Sequence, residues 1–379
     1  MSGASHVAVT AADPFRPVLA AVATGRPFSV DEARDAFGLI MDGAASEAQI
    51  AAFLMGLRVR GERQEELLGA VLAVRSRMLA IEESPPGAID VCGTGGDGHG
   101  TLNVSTAVAF VVSALGVPVA KHGNRALSSL SGASDVLGAL GVPLESDCAT
   151  LGAELRYRRL IFMAAPSHHP AMRHAAGARR ALGVRTLFNL VGPLANPARV
   201  TRQLVGVPEA VWLEPVVTTL RDLGSERVWA VCGDVPGAGP GVPSRGVDEV
   251  TLSGPTEIAA LENGEIIRTI LTPDMAGLPS APISAIAGGG PVENAEALLA
   301  LLKGAHGPYR DTVLLNAACA LHVAGRGVVL QAGRIAPEAL RELVALAAHV
   351  IDNGAALSSL QAARRGRTEV ASDRGGSGS

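Results

Sequence analysis

Several stretches of this sequence combine residue types at a spacing that chemistry could use. Val91-Cys92-Gly93-Thr94-Gly95-Gly96-Asp97 is an apolar run that passes straight into a glycine-rich turn. Asn103-Val104-Ser105-Thr106 follows, just ahead of an apolar helical pattern. Glycines let a backbone bend tightly and approach a ligand with no Cβ in the way. Amides and hydroxyls at a helix start suit phosphate oxygens. The turn is not a Walker loop, because the G-K-[ST] ending is absent, and it does not meet the G-x-G-x-x-G dinucleotide spacing. Lys121-His122-Gly123-Asn124-Arg125, with Ser128 and Ser129 behind it, offers cations beside directed hydrogen-bond formers. Pro166-Ser167-His168-His169-Pro170 offers imidazoles for acid/base work, without the Cys or carboxylate at ligand spacing that a metal site needs. Arg179 ends a helical pattern ahead of the Gly/Pro-containing stretch Thr186 to Pro197. Finally, the adjacent carboxylates of Gly246-Val247-Asp248-Glu249 suit Mg²⁺, which takes oxygen ligands and is often shared with substrate phosphates. Taken singly, each stretch also has a plainer reading: a capped turn, a solvated basic turn, a Pro-bounded loop, a charged helix end, an exposed acidic pair.

These loops need elements to carry them. Short apolar runs at Ala88–Cys92, Val117–Ala120, Leu160–Ala164, Gln203–Val207 and Arg227–Cys232 read as strands. Helical patterns at Ser105–Leu115, Ser134–Leu140 and Pro215–Leu223 lie between or after them, and further helices are expected at Asn294–Leu302, Thr312–Ala324 and Pro337–Asp352. Such alternation predicts an α/β domain with a mostly parallel sheet, in which loops after neighbouring strands meet at the carboxyl edge. Ahead of Pro85-Pro86-Gly87 the pattern is helical only. Ser29-Val-Asp-Glu32 and Ser46-Glu-Ala-Gln49 fit the capping box, and Ile50, Phe53, Leu54 and Leu57 recur at helical spacing. Asp31 to Ala80 is thus expected to be a small helical unit that must pack on something else.

The 379 residues are 48% hydrophobic, 18% charged and only 3% aromatic, so a globular core must rest on Ala, Val, Leu and Ile. A net charge of −4 argues against a broad basic face for nucleic acid. The four cysteines, Cys92, Cys148, Cys232 and Cys319, form no C-x-x-C pair and read as reduced thiols of a cytosolic protein. Met1 to Asp13 lacks the pattern of a signal peptide. The uncharged span Gly98 to Ala120 reads as a buried helix and strand rather than a membrane span. Both ends, 1–13 and 366–379, are expected to be flexible.

Together, in the order G-T-G-G-D, N-x-S-T, K-H-G-N-R-x-x-S-S, H-H-P-A-M, R-x-x-L-G-x-R-T-x-F-N-x-x-G-P-L-x-N-P and G-x-D-E, the motifs from about Pro14 to Arg364 resemble the anthranilate phosphoribosyltransferase family. The resemblance implies an α/β fold: a small all-helical domain (14–84, joined by helices from about 171–195) plus a larger α/β domain (85–365) with a mostly parallel central sheet flanked by helices. It implies a homodimer formed through the helical domain. The implied activity is transfer of the phosphoribosyl group of phosphoribosyl pyrophosphate to anthranilate, with Mg²⁺, in the cytoplasm. Gly93, Gly96, Asp97, Thr101, Asn103, Val104, Ser105 and Thr106 would hold pyrophosphate and ribose. Lys121, His122, Gly123, Asn124, Arg125, Ala126, Leu127, Ser128, Ser129 and Ala133 would close over the phosphates. Ser105, Asp248 and Glu249 would bind Mg²⁺. Gly93, Asn124, Arg179, His169 and Pro193 would meet anthranilate, with His122 lining the same channel. Three stretches depart from the family pattern: Leu130 replaces a basic residue, Ala133-Ser134 reverses a Ser-Ala order, and Gly233 to Arg245 is long and rich in Gly and Pro.

The hard step of this reaction is departure of pyrophosphate from the ribose carbon. Positive groups must gather around the leaving group, and the amine need only be positioned. No dedicated general base is evident; His122 and His169 are the candidates. Two other functions share part of this pattern. A pyrimidine nucleoside phosphorylase shares the fold, but its loop reads K-H-S. A non-enzymatic nucleic-acid binder would need a basic surface.

Overall fold

The computed structural model describes residues 13–124, 131–144, 147–236 and 246–365. Outside the described residues fall both expected flexible ends except Asp13, the Arg125–Ser129 part of the basic loop with Leu130, and residues 237–245 of the Gly/Pro-rich stretch. The chain divides into two compact units, Met1–Arg77 with Ala171–Leu187, and Met78–Pro170 with Phe188–Ser379.

In the first unit, helices α1 (Arg16–Ala23), α2 (Val30–Met41), α3 (Glu47–Arg60) and α4 (Gln64–Arg75) are joined by the later helix Arg173–Leu182. Both expected capping boxes form. Glu32 N donates to Ser29 Oγ at 3.3 Å while Ser29 N donates to the Glu32 carboxylate at 3.0 Å. Gln49 N donates to Ser46 Oγ at 3.3 Å while Ser46 N donates to Gln49 Oε1 at 2.9 Å. Each cap stabilises its helix start by about 1 kcal/mol. The core gathers four of the chain's seven phenylalanines: Phe15, Phe28 and Phe37 meet Phe53 edge-on, with centroids 5.7, 5.8 and 5.4 Å apart. Buried Glu66 ties the α1–α2 connection to α4, accepting from Phe28 N at 3.0 Å and Arg63 N at 3.1 Å and pairing with Arg60.

The second unit is built on one seven-stranded sheet: β1 (Ile89–Gly93), β2 (Val119–Gly123), β3 (Leu160–Ala164), β4 (Arg202–Gly206), β5 (Arg227–Gly233), β6 (Thr256–Glu262) and β7 (Glu265–Leu271). Their spatial order is β3-β2-β1-β4-β5-β6-β7. The first five are parallel, as the alternation predicted, and β6 and β7 are antiparallel. Each of the five expected strands is present, and β2 runs on to Gly123, so Lys121 and His122 lie within the strand rather than in the loop behind it. The β6–β7 hairpin was not expected. Its turn is Asn263-Gly264, both at positive φ (52° and 85°), the residue pair that a two-residue hairpin favours. The helix α5 (Val104–Ala114) is buried nearly all round between the sheet and the helices Pro308–Val323 and Ala355–Arg364. That placement accounts for the uncharged span noted in the sequence. No single helix among the described residues is long and apolar enough to cross a membrane.

Candidate active site

The carboxyl ends of β1, β4 and β5 each finish in glycine: Gly93, Gly206 and Gly233. The segment Gly246–Val250 lies across these ends. Gly233 and Val247 exchange backbone hydrogen bonds at 2.9 Å. At the far end of the segment, Asn316, on the helix Pro308–Val323, donates to Val250 O at 2.7 Å and accepts from Val250 N at 3.0 Å. A Cβ on Gly206 would stand 1.6 Å from Asp248 O, and one on Gly93 would stand 2.2 Å from Asp248 Oδ2. Only bare backbone at these strand ends lets the acidic pair sit there. Asp248-Glu249 is therefore not an exposed acidic turn; it lies across the rim of the sheet.

There the two carboxylates meet the glycine-rich turn. Gly95, at φ +66°, donates its N–H to Asp248 Oδ2 at 2.6 Å. Ser105, in the first turn of α5, donates its N–H to Glu249 Oε1 at 3.2 Å. Lys121 Nζ reaches up from β2, donating to Val91 O at 2.6 Å and to Ser105 Oγ at 3.0 Å. Desolvation, then the adjacent charge of Asp248, pushes the Glu249 carboxyl well above the usual carboxylate range, and Lys121 only partly offsets this. Asp97 adds further negative charge to the same place. Its Oδ1 accepts from His99 N at 3.1 Å, while Oδ2 is buried without a partner, as is Thr106 Oγ1. Buried polar atoms are nearly always paired, so a rim with surplus negative charge and an unpaired Asp97 oxygen has the makings of a cation site, with the Lys121 ammonium and the Thr106 hydroxyl beside it able to meet an anion. Among the described residues no three His, Cys, Asp or Glu side chains converge to hold a metal alone. Asp248, Glu249 and Ser105 Oγ fit an oxygen-seeking divalent ion that completes its shell from a ligand's phosphate oxygens.

Behind β2 lies a second cluster. Asp90, fully buried, accepts from His122 N at 3.2 Å and from Asn196 Nδ2 at 2.7 Å. Asn196 also donates to Ala120 O at 2.9 Å. Gln203 Nε2 donates to Pro193 O at 2.8 Å and lies 3.2 Å from Cys92 Sγ. Asp90 thus joins β1, β2 and the Pro-rich stretch around Pro193. His122 Nδ1 lies 3.1 Å from Gly192 O, an acceptor, so this nitrogen carries the proton. That leaves Nε2 unprotonated, buried and unpartnered. The His169 ring packs on it with centroids 5.1 Å apart. Burial first, then neighbouring imidazoles, holds both rings below the usual histidine range, His169 at about 4. Both are neutral at physiological pH.

The structure thus brings together Gly93, Asp97, Ser105, Thr106, Lys121, Asp248 and Glu249, while His122, His169 and Pro193 belong to the second cluster, behind β2. Thr101 bridges to Ala287, and Asn103 and Val104 open α5. Gly123 and Ala133 line a cavity with Lys121 and Ser134, and Asn124 O accepts from Ser134 N at 3.3 Å. Gly96 holds a positive φ of 68° in the turn. Arg179 stands in the last turn of Arg173–Leu182, in the helical unit. Asp90, Asn196, Gln203 and Gly206 are site-supporting residues to which the sequence alone assigns no role. One available signal was the repeated strand ending in Gly: Val91-Cys92-Gly93, Leu204-Val205-Gly206 and Val231-Cys232-Gly233.

Comparison with known proteins agrees with this architecture. Residues 16–78 match a glycosyl transferase family helical bundle domain, and residues 85–357 match the a/b domain of that family. The chain is 55% identical over 363 residues to an anthranilate phosphoribosyltransferase of Gluconobacter oxydans, covering 96% of this chain and 98% of the relative. It is 52% identical to one from Methylocella silvestris, covering 92% and 94%. Among solved structures, the Thermus thermophilus anthranilate phosphoribosyltransferase superposes with a TM-score of 0.79 at 37% identity, covering 91% of this chain and 98% of that one. The Saccharomyces cerevisiae enzyme in complex with PRPP and Mg superposes with a TM-score of 0.77 at 27% identity, covering 91% and 96%.

Proposed function

Because the chain belongs to the anthranilate phosphoribosyltransferase family, we propose that the rim described above holds the phosphoribosyl donor and that its acidic pair binds Mg²⁺. The enzyme transfers the phosphoribosyl group of phosphoribosyl pyrophosphate to the amine of anthranilate, giving N-(5-phosphoribosyl)anthranilate and pyrophosphate, in tryptophan biosynthesis. The observation that carries the site assignment is the uncompensated rim: Glu249 pushed up beside Asp248, and Asp97 Oδ2 and Thr106 Oγ1 buried without partners.

In this reading the backbone from Gly93 to Gly96, with Asp97, Thr101, Asn103, Val104, Ser105 and Thr106, cradles pyrophosphate and ribose. Lys121 keeps a third N–H for an anion, and Gly123, Asn124 and Ala133 contribute to the phosphate site beside it; the other candidates, Arg125 to Ser129, lie outside the described residues. Asp248, Glu249 and Ser105 would hold Mg²⁺, which when bound would supply positive charge against the departing pyrophosphate. As the bond from the ribose carbon to the pyrophosphate oxygen breaks, charge grows on the leaving group, and the Lys121 ammonium is placed at the rim to offset it. Arg179 grips the anthranilate carboxylate and Asn124 orients the ring, with Gly93, Pro193 and His169 alongside. Neutral His122 presents a proton-accepting Nε2 in this channel; it orients the amine or takes its proton.

The helical unit is read as the dimerisation domain, and 80% exposed Val59 on α3 supports an apolar contact there. Four free cysteines suit the cytoplasm. The deciding experiment is loss of anthranilate fluorescence on mixing with phosphoribosyl pyrophosphate, with and without Mg²⁺. Turnover that needs both is expected; turnover indifferent to Mg²⁺ removes the metal from the reading.

A further inference from the structure

Asn103, immediately before α5, is held by residues nearly two hundred positions further along the chain. Asn294, buried near the start of the helix Pro291–Leu302, is the key contact. Gly289 donates its N–H to one terminal atom of Asn294 at 2.7 Å. A backbone N–H can only donate, so that atom is the oxygen and the Asn294 amide has a single orientation. Its Nδ2 is then a donor, and it reaches Asn103 at 2.9 Å, where only the oxygen can accept. The Asn103 amide is thereby turned with Oδ1 inward and Nδ2 away from Asn294. Tyr309 fixes the backbone of the same residue, donating its hydroxyl to Asn103 O at 3.1 Å. The turn ahead of Asn103 is clipped to the same region: Leu102 N donates to Ile286 O, and Gly288 N to Gly100 O, each at 2.8 Å.

We infer that Asn294 is a positioning residue that sets the polarity of Asn103, so that the site offers the donor's oxyanions an N–H group and not a carbonyl. This rests on the reading that Asn103 faces phosphoribosyl pyrophosphate. An N–H facing a phosphate oxygen makes a charge-assisted hydrogen bond, whereas a carbonyl there repels it. The chain of constraint runs from a main-chain donor, through one amide, to a second amide at the site, and no member of it but Asn103 touches substrate.

Asn294→Asp tests this with almost no change in shape. The carboxylate can take the Gly289 N–H on one oxygen and must accept from Asn103 on the other, which turns the Asn103 amide over. We expect KM for phosphoribosyl pyrophosphate to rise roughly tenfold or more, the loss of a hydrogen bond to a charged group, with KM for anthranilate within about twofold. The added charge alone would also weaken a polyanion, so Asn103→Ala is made in both backgrounds. Alone it should raise the same KM several-fold; with Asn294→Asp it should add nothing or restore affinity, because it removes an oxygen that has come to face the phosphate. Additive effects, or a matching rise in the anthranilate KM, overturn the inference. Should Asn294→Asp not fold, Asn294→Ala frees Asn103 to turn either way and should raise KM for the donor alone; an unchanged value overturns it. If Asn103→Ala by itself leaves that KM unchanged, the placement of Asn103 fails, and the inference fails with it.

Discussion

Two glutamates at opposite edges of the same sheet show what separates a structural carboxylate from a functional one. Glu262 ends β6 at the edge where β5 begins. It accepts from His322 Nε2 at 2.8 Å and from Trp229 Nε1 at 3.2 Å, and pairs with Arg227 at 2.8 Å. Burial alone would raise its pKa, but the His322 hydrogen bond and the charge of Arg227 outweigh it and hold Glu262 below the usual range. Glu249, where β5 ends, has a similar need and receives less: one backbone N–H and a distant share of Lys121, against Asp248 beside it. The first is balanced within the protein. The second is left unbalanced, and that imbalance is what a bound metal ion can relieve. Sites differ from scaffolds here in their unmet charge rather than in residue type.

The contrast can be broken most severely at the rim. Asp248→Asn with Glu249→Gln should lower kcat/KM by roughly 10³-fold through lost charge stabilisation, abolish the Mg²⁺ response, and leave the ligand-free melting temperature equal or higher. An unaltered Mg²⁺ titration would remove the pair from the site. At the opposite edge, Glu262→Gln should do the reverse. It should cost about 3 kcal/mol in chemical denaturation by stranding a buried ion partner, with wild-type turnover per folded molecule. Smaller still, Gly206→Ala should cost about 2 kcal/mol by pressing a methyl against the Asp248 backbone, and it should raise the Mg²⁺ concentration for half-maximal activity. A stable variant with wild-type Mg²⁺ response would show that the acidic segment is not seated by that strand end. The least effect is in the acid limb of stability. Glu262 is depressed below its unfolded value of 4.5, so its contribution is present above that pH and lost as pH falls through the folded value. Denaturation midpoints across that window should fall less steeply in Glu262→Gln than in the wild type.

The parallel half of the sheet and the loops behind it were legible because they are local. Each apolar run, its Gly-rich turn and its helix start sit within some twenty residues, and hydrophobic periodicity marks them. The β6–β7 hairpin was open to reading from Asn263-Gly264, but its flanking runs lack the clean alternation of a half-buried strand, and a parallel-sheet pattern does not call for it. Asp248-Glu249 was legible only through the company of the other motifs; as a bare pair it reads as a solvated turn. What seats it, Gly206 and Asn316, is scattered across the chain, and nothing local links them. Asp90 and Asn294 were illegible for the same reason: a buried carboxylate or amide reveals its work through its partners, and His122 lies 32 residues from Asp90 and Asn103 lies 191 from Asn294.

The phenylalanine core of the helical unit also has a practical meaning. Both tryptophans, Trp212 and Trp229, and both tyrosines, Tyr157 and Tyr309, belong to the α/β unit, and the helical unit has neither residue. Near-ultraviolet emission is therefore blind to the bundle. Melting of the helices alone would register in far-ultraviolet dichroism while tryptophan fluorescence stayed flat, so the two optical probes resolve the two units without any label.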